Sequence, residues 1–315
     1  MNKEDLKIVF LGTPEFAVES LRRIHEAGYN IAAVVTAPDK PAGRGHKLLQ
    51  SAVKEYAVAN GLRLMQPEKL KAQEFVDELR SIDADLFIVI AFRMLPEVVW
   101  SMPRLGTFNL HASLLPRYRG AAPINWAVIN GDTETGVTTF MLKHEIDTGD
   151  ILRQERISIA PDENVGSVYD RLMMLGADVT MDTIEHIIAG DLKPIPQDQL
   201  TTDQCIPTPA PKIFKETCRI DWNRDTESIR NLVRGLSPYP AAWTELEILP
   251  GQFVNMKVID SRNADYHGST TPGKATIDGD KLLVDTNDGR LQLLTVQPAG
   301  KKAMDASAYI RGLRH

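Results

Sequence analysis

Three polar residues near the middle of the chain are of the types that acyl transfer requires. Asn109 and His111 stand two apart in an apolar run typical of a strand, so their side chains point to the same side. Asp147 ends a second strand-like run, VTTFMLKHEI, and can reach the same point. An amide stabilises a developing oxyanion, an imidazole transfers protons near neutral pH, and a carboxylate orients the imidazole. The set predicts a site where a nucleophile attacks a carbonyl carbon.

A structural role for the same residues stays open at this point. A single histidine in a strand is often structural, and asparagine and aspartate are common in turns. The sequence has no GxSxG motif, so a covalent acyl-enzyme is not indicated. Direct attack by an incoming nucleophile is the reaction that fits.

A tight corner follows the histidine strand. It consists of Ser113, Leu114, Leu115 and Pro116. Proline fixes the backbone there, and exposed main-chain groups at such a corner can bind a flat polar ring. The pattern is short, so the corner is a candidate binding segment.

A basic loop is predicted earlier in the chain, at residues 37–48. It reads APDKPAGRGHKL and contains the potential cations Lys40, Arg44, His46 and Lys47. A flexible, glycine-containing loop at the carboxyl end of a strand is well placed to touch a phosphate backbone. A solvated loop without a partner is the alternative.

The order of the predicted elements indicates an α/β fold. Strands are expected at 6–11, 30–36, 62–65 and 84–91, and helices at 14–27, around 53–57 and at 74–82. Thr13 is expected to cap the first helix, and Pro14 to take its first helical position. This order predicts a Rossmann-like, mostly parallel sheet with helices on both faces. The first strand is followed by GTPEF rather than GxGxxG, which disfavours a dinucleotide site.

A change of pattern predicts a second domain. After a long helix at 165–188, residues 191–212 carry five prolines and little periodicity, which is typical of a linker. A short helix and then strands at 242–248, 254–259, 274–277, 281–285 and 290–296 follow, which favours a small OB-like β-barrel. The expected boundaries are 1–189 for the first domain, 190–211 for the linker and 212–315 for the barrel.

Composition narrows the class of protein. The 315 residues are 43% apolar, and no apolar run approaches the ~18 residues of a membrane helix. The N-terminus enters a strand too early for a signal peptide, so we expect a cytoplasmic protein, and a monomer. Cys205 and Cys218 lack metal-ligand spacing. Residues 1–210 carry 21 Lys and Arg against 29 Asp and Glu, whereas residues 211–315 carry 15 against 13. The second part could face a polyanion, or the difference has no function.

These segments together resemble the methionyl-tRNA formyltransferase family over nearly the whole chain. The matching segments are FLGTPEFA, APDKPAGRGHKL, MPRLGTFNLHASLLPRYRGAAPINWAVINGD, ETGVTTFMLKHEIDTGDIL, IDW and QPAGKKAM. The central block is highly specific to formyltransferases that use 10-formyltetrahydrofolate. The basic loop and the C-terminal part narrow the resemblance to the tRNA enzymes.

The resemblance implies a role for each candidate residue. Catalysis would fall to Asn109, His111 and Asp147, folate contact to Ser113, Leu114, Leu115 and Pro116, and the acceptor end of initiator tRNA to Arg44. Lys47, Lys301 and Lys302 are further candidates for tRNA contact. The implied reaction moves the formyl group of 10-formyltetrahydrofolate to the α-amine of methionine on initiator methionyl-tRNA, without a metal, for translation initiation.

Three other functions remain as alternatives. The first is formyl transfer to an amino sugar or to glycinamide ribonucleotide, which the basic loop and the appended domain disfavour. The second is a non-catalytic folate- or RNA-binding protein, which the intact Asn-His-Asp set disfavours. The third is a nicotinamide oxidoreductase, which the absence of GxGxxG disfavours.

Overall fold

The structure of the protein is a computed structural model that describes residues 2–42, 47–201, 206–266 and 268–313. The chain divides into two compact units, each built from several segments. The first unit comprises residues 1–120, 136–157 and 169–209, and the second comprises 121–135, 158–168 and 210–315. The domain boundaries expected from the sequence stay a prediction. In the described part of the chain, no helix has both the length and the apolar character needed to cross a bilayer.

The helices and strands are numbered here in chain order. The helices are α1 (Glu15–Glu26), α2 (Ala52–Ala59), α3 (Gln73–Ser81), α4 (Glu97–Trp100), α5 (Pro123–Ile129), α6 (Val165–Ala189), α7 (Thr226–Gly235) and α8 (Ala306–Leu313). The strands before α7 are β1 (Lys7–Gly12), β2 (Asn30–Val35), β3 (Lys40–Ala42), β4 (Lys47–Leu49), β5 (Leu64–Met65), β6 (Leu86–Ile90), β7 (Thr107–His111), β8 (Arg119–Gly120), β9 (Glu134–Met141), β10 (Ile151–Ser158) and β11 (Pro209–Ala210). The later strands are β12 (Ala242–Leu249), β13 (Gln252–Ala264), β14 (Ala275–Asp278), β15 (Lys281–Asp285), β16 (Arg290–Pro298) and β17 (Met304–Asp305).

A mixed sheet forms the centre of the first unit. Its order among the described residues is β10-β9-β7-β6-β1-β2-β5. The pairs from β5 through β7 are parallel, and β9 runs antiparallel to β7. The prediction of a Rossmann-like, mostly parallel sheet is therefore confirmed.

Buried strands and amphipathic helices build this sheet, as the apolar runs predict. Val9 and Leu11 pack with Phe75 and Leu79 of α3 on one face of the sheet. Ile8 and Phe10 alternate with them and are also fully buried, as expected for a strand covered on both faces. β1 is a central strand of the sheet, between β2 and β6, and its side chains are apolar on both faces.

The turn from β1 into α1 differs from its prediction. Pro14 is the N-cap residue in an extended conformation, and no side chain of the described residues caps the helix. Thr13 therefore lies one residue too early to reach the free N–H groups of the first turn. At Gly12 a Cβ atom would lie 2.8 Å from Cβ of Ala17 and 3.2 Å from the carbonyl oxygen of Ile90. The glycine lets the chain turn tightly against the sheet.

Two segments that were expected to be irregular have structure. The basic loop forms an antiparallel hairpin of β3 and β4, whose tip, residues 43–46, lies outside the described residues. The proline-rich segment contains a 3-10 helix at Gln197–Leu200, and Ile195 forms a β-bridge with Ile151. Residues 195–200 of the segment therefore pack onto the first unit, and the linker stays a prediction.

An antiparallel half-barrel dominates the second unit. The strand order among the described residues is β12-β13-β16-β15-β14, with β17 paired to β16. Its core contains inward side chains of the strands together with α7, α8 and Ile129 of α5. A Cβ atom on Gly235 would lie 2.5 Å from the Ile129 side chain, so glycine permits the close contact of α7 with α5. This architecture bears out the small barrel predicted from the short strands.

Candidate active site

Strand β7 carries two of the predicted catalytic residues. It lies between β6 and β9, with Asn109 opposite Val89 and Phe140, and with His111 opposite Thr138. The predicted strand is confirmed, and period-two alternation directs both side chains to one face. Asn109 is half-buried, and no hydrogen bond of its side-chain amide occurs among the described residues. Its donors are therefore available to a ligand.

The imidazole of His111 is buried and fixed by the main chain. Its Nε2 lies 2.8 Å from the carbonyl oxygen of Tyr118, and its ring meets Phe140 edge-on at 6.4 Å between centroids. A carbonyl oxygen only accepts hydrogen bonds, so Nε2 carries a proton and donates it to Tyr118. Nδ1 of the neutral ring is then unprotonated. Within the described parts of the chain, Nδ1 makes no hydrogen bond.

Asp147 faces the open nitrogen of the ring. Its Oδ2 lies 3.8 Å from Nδ1 of His111, which is within ion-pair distance and too long for a hydrogen bond. The same Oδ2 accepts a hydrogen bond from the backbone N–H of Gly120 at 2.9 Å. The structure thus brings His111 and Asp147 together, although 36 positions separate them in the sequence.

The prediction that Asp147 lies at the end of a strand is wrong. Strand β9 ends at Met141, and Asp147 lies in the following loop with φ +54. Gly149 explains the tight return of this loop, because a Cβ atom there would lie 1.5 Å from the carbonyl oxygen of Met141. The backbone N–H of Met141 donates to the carbonyl oxygen of Asp150 at 3.0 Å. The loop therefore closes against the end of β9 and presents Asp147 to β7.

Tyr118 and Gly120 are site residues that the sequence did not single out. Tyr118 is buried, has φ +60, and contributes its carbonyl oxygen to His111. Gly120 has φ +126 and contributes its N–H to Asp147. Main-chain groups leave no side-chain signal, and the Arg-Gly pair alone does not indicate which of its amides is used.

Most of the chain is similar to known proteins. Residues 6–184 match the family model described as formyl transferase, and residues 212–314 match formyl transferase, C-terminal domain. A methionyl-tRNA formyltransferase from Phocaeicola vulgatus is 57% identical over 316 residues, which cover 100% of this chain and 98% of that protein. The chain belongs to the methionyl-tRNA formyltransferase family.

Solved structures with the same fold are more distant in sequence. WlaRD, a sugar 3N-formyl transferase solved in the presence of dTDP and 5-N-formyl-THF, has a TM-score of 0.66 at 21% identity, covering 94% of this chain and 99% of that chain. HypX from Aquifex aeolicus in complex with tetrahydrofolic acid has a TM-score of 0.63 at 18% identity and covers 96% of this chain. The match covers 46% of HypX, so this chain spans about half the length of that protein. At these identities the likeness concerns the fold.

The corner that the methionyl-tRNA formyltransferase resemblance assigns to folate is buried rather than exposed. Ser113, Leu114, Leu115 and Pro116 are all buried, and the Leu115–Pro116 peptide is cis. The N–H of Leu115 donates to Oγ1 of Thr138, and the carbonyl oxygen of Leu115 accepts from Nε2 of Gln154 at 2.9 Å. These main-chain groups are used within the protein because the corner packs beneath β9. Contact of this segment with folate stays a prediction.

The residues assigned to tRNA divide between the two units. Arg44 lies outside the described residues, and Lys47 begins β4 of the basic hairpin. The base of this hairpin is anchored by Asp39, which pairs with Nζ of Lys54 at 2.5 Å and accepts from Nε2 of Gln66 at 2.9 Å. The hydrogen bonds from Lys54 and then Gln66 lower the pKa of the Asp39 carboxyl. Its anionic form is thus favoured where the hairpin begins.

Lys301 and Lys302 are exposed on the second unit, between β16 and β17. Their turn is fixed by two hydrogen bonds, since the N–H of Lys301 donates to the carbonyl oxygen of Pro298 and its own carbonyl oxygen accepts from Nε2 of Gln297. Both ammonium groups therefore extend from an ordered turn. Their contact with tRNA stays a prediction.

The described residues contain no group of three or more His, Cys, Asp or Glu side chains that could hold a metal ion. Cys218 is buried and forms no disulfide with any described residue, and Cys205 lies outside the described residues. Burial raises the pKa of the Cys218 thiol. The expectation that the reaction uses no metal stays a prediction.

Proposed function

We propose that this protein transfers the formyl group of 10-formyltetrahydrofolate to the α-amine of methionine on initiator methionyl-tRNA. Membership of the methionyl-tRNA formyltransferase family over both parts of the chain supports the reaction class. The observation that carries the proposal is the pairing of an open Nδ1 on His111 with the Asp147 carboxylate, on the strand that also presents the free amide of Asn109. These groups match the three needs of acyl transfer: a proton acceptor, a carboxylate that stabilises the protonated acceptor, and a hydrogen-bond donor to the oxyanion.

The reaction begins with attack of the uncharged amine on the formyl carbon. A free α-amine has a pKa of ~7.7–8.0, so an uncharged fraction exists at neutral pH. A new carbon–nitrogen bond forms, and the carbonyl electrons move to oxygen. The amide of Asn109 donates to this oxyanion.

The intermediate collapses when the bond from the formyl carbon to N10 of the folate breaks. The attacking amine must lose a proton, and N10 must gain one. His111 accepts the proton at Nδ1, because Nε2 already donates to Tyr118. The Asp147 carboxylate at 3.8 Å stabilises the resulting imidazolium, which then delivers the proton to N10. The geometry favours the acid–base role of His111, since an oxyanion contact at Nδ1 would require the ring to be protonated beforehand.

Recognition of tRNA is proposed to rest on cations in both units. Arg44 and Lys47 in the basic hairpin would contact the acceptor end, and Lys301 and Lys302 would dock the phosphate backbone. The charge distribution supports docking by the C-terminal part, because residues 211–315 are net positive whereas residues 1–210 are net negative. The acceptor is a component of translation, which supports the predicted cytoplasmic location. A monomer remains our expectation.

The test is a formylation assay with purified protein and 10-formyltetrahydrofolate. Acceptors are charged initiator tRNA, charged elongator tRNA and a nucleotide-linked amino sugar. We expect rapid formylation of initiator methionyl-tRNA, with slow or absent reaction for the other two. Faster formylation of the amino sugar would contradict the proposed acceptor, and no transfer to any acceptor would contradict the proposed reaction.

A further inference from the structure

Gln197 is a buried polar residue in the proline-rich segment after α6. It opens the 3-10 helix Gln197–Leu200 and is 4% exposed. Its Nε2 donates to the carbonyl oxygens of Asp147 at 2.9 Å and Gly149 at 2.8 Å. Its Oε1 accepts from the guanidinium of Arg119, at 2.6 Å from one terminal nitrogen and 3.2 Å from Nε.

The four contacts use the whole hydrogen-bonding capacity of one amide. A carboxamide has two N–H donors and one oxygen with two lone pairs. Both donors meet carbonyl oxygens and the oxygen meets a cation, so no other orientation of the amide satisfies all partners. Gln197 thus joins two segments that are distant in the sequence, the loop that carries Asp147 and the strand β8 that contains Arg119.

Both joined segments contact the His111–Asp147 pair. Arg119 lies between Tyr118, whose carbonyl oxygen fixes His111, and Gly120, whose N–H holds the Asp147 carboxylate. The same residues are also held by Thr208, whose Oγ1 accepts from the N–H of Tyr118 at 2.9 Å and whose carbonyl oxygen accepts from the N–H of Arg119 at 3.0 Å. The segment after α6 therefore contacts the main chain that orients the imidazole and the main chain that orients the carboxylate.

Asp147 needs such support because of its backbone. A non-glycine residue at φ +54 adopts a left-handed conformation that is strained, and contacts with its surroundings must compensate for that strain. The bond from Gln197 to the carbonyl oxygen of Asp147 acts on the residue itself, and the bond to Gly149 acts two residues later. We propose that Gln197 is a positioning residue that sets the distance between Asp147 and His111. This inference rests on the proposed function, because it concerns the same site.

The segment has other anchors, so the contacts of Gln197 can be removed without releasing it. Ile195 forms its backbone bridge with Ile151, and Leu200 packs against the cluster of Leu115, Phe140 and Ile151. Both anchors are independent of the Gln197 amide. Variants at this position therefore test positioning rather than attachment of the segment.

Two variants and a matched control separate these roles. Gln197→Glu keeps the size and the acceptor for Arg119 but replaces the donor with an oxygen facing two carbonyl oxygens. Gln197→Leu removes every contact of the amide. Gln199→Leu is the control, because Gln199 lies in the same 3-10 helix with an exposed side chain.

We expect kcat for formylation to fall about 10- to 100-fold in both Gln197 variants, because small misplacements of catalytic groups have effects of this size. Affinity for tetrahydrofolate and KM for initiator methionyl-tRNA should stay near the wild-type values. Gln199→Leu should behave as the wild type. Unchanged kcat in both Gln197 variants would overturn the proposal.

A double-mutant cycle with Asp147→Asn distinguishes positioning from general stabilisation. If Gln197 acts through Asp147, Gln197→Leu should slow the wild type much more than it slows the Asp147→Asn variant. An equal fold-loss in both backgrounds would overturn the proposal even if kcat falls. Failure of the proposed reaction is separately visible, because wild-type protein would then formylate no acceptor, and that result would remove both inferences.

Discussion

Strand β7 and the loop after β9 supply the same candidate site by different physical means. Asn109 and His111 are placed by a central strand, whose neighbours on both sides fix its register. Asp147 is placed by a loop that departs from regular structure at Met141 and holds a left-handed residue. The strand is specified by its own apolar pattern, whereas the loop depends on contacts with Gly120 and Gln197 from other parts of the sequence. The proposed general acid–base pair is thus only as well positioned as the loop.

The largest effect is expected for the oxyanion donor on the strand. Asn109→Ala should lower kcat by about 10²–10³-fold, or ~3–4 kcal/mol, because a donor used mainly in the transition state is lost. Binding of tetrahydrofolate should survive. Steady-state formylation kinetics and a folate titration measure the two quantities.

Asn60→Ala is a suitable control for this variant. Asn60 follows α2, and its side chain donates only to the carbonyl oxygen of Tyr56 in the described structure. Its formylation rate should match the wild type. A loss of folate affinity as large as the loss of kcat in Asn109→Ala would contradict the role of Asn109 in the transition state.

A change in the loop backbone should be next in size. Gly149→Ala puts a Cβ atom 1.5 Å from a backbone oxygen, so the loop must move. We expect a loss of ~2 kcal/mol or more in the free energy of unfolding together with a large loss of kcat. Chemical denaturation and the formylation assay provide the measurements.

Gly190→Ala separates backbone strain from collision. Gly190 has φ +71, and no atom of the described residues lies within 4 Å of a Cβ position there. Its replacement should cost about 1 kcal/mol of stability and leave kcat unchanged. If Gly149→Ala lowered the free energy of unfolding and kcat no more than Gly190→Ala does, the conclusion that the Asp147 loop closes tightly against β9 would be wrong.

A smaller effect is expected where the substrate is bound rather than converted. Arg44→Ala should slow formylation of initiator methionyl-tRNA by about tenfold, as loss of a charge-assisted hydrogen bond implies, without altering folate binding. Arg63→Ala is the control, since Arg63 makes an exposed ion pair with Glu78 in the same unit. Equal rates for the Arg44 variant and the wild type would remove the basic loop from the mechanism.

The smallest effect is expected at a left-handed residue outside the site. Asp83 follows the end of α3 with φ +52 and is exposed. Asp83→Gly should raise the free energy of unfolding by ~0.5–1 kcal/mol, because glycine adopts this conformation without strain. Formylation should not change. A destabilised Asp83→Gly protein would weaken the argument that left-handed residues in this chain store strain.

Regular elements were predictable because they depend on local pattern. The buried runs that became β1, β2 and β6 were expected within a few residues, and Asn109 and His111 were correctly expected on one strand. The catalytic roles were predicted first from residue types and spacing, which left a structural role open, and the family resemblance then strengthened them.

The supporting structure was not predictable from local pattern. Residues 142–146 read LKHEI and were expected to continue the strand, but Gly149 turns the chain back against Met141. The segment with five prolines looks like a linker, yet its residue Gln197 donates hydrogen bonds to two backbone carbonyl groups that lie 48 and 50 positions earlier. Such bonds join distant parts of the chain and leave no periodic signal.

The coupling between His111 and Asp147 is the most direct test of the proposed mechanism. Single-turnover formylation of initiator methionyl-tRNA would be measured for wild type, His111→Asn, Asp147→Asn and the double variant. If the two side chains act as one unit, the double variant should be no slower than the slower single variant. Losses that multiply in the double variant would show independent action and contradict the acid–base pair.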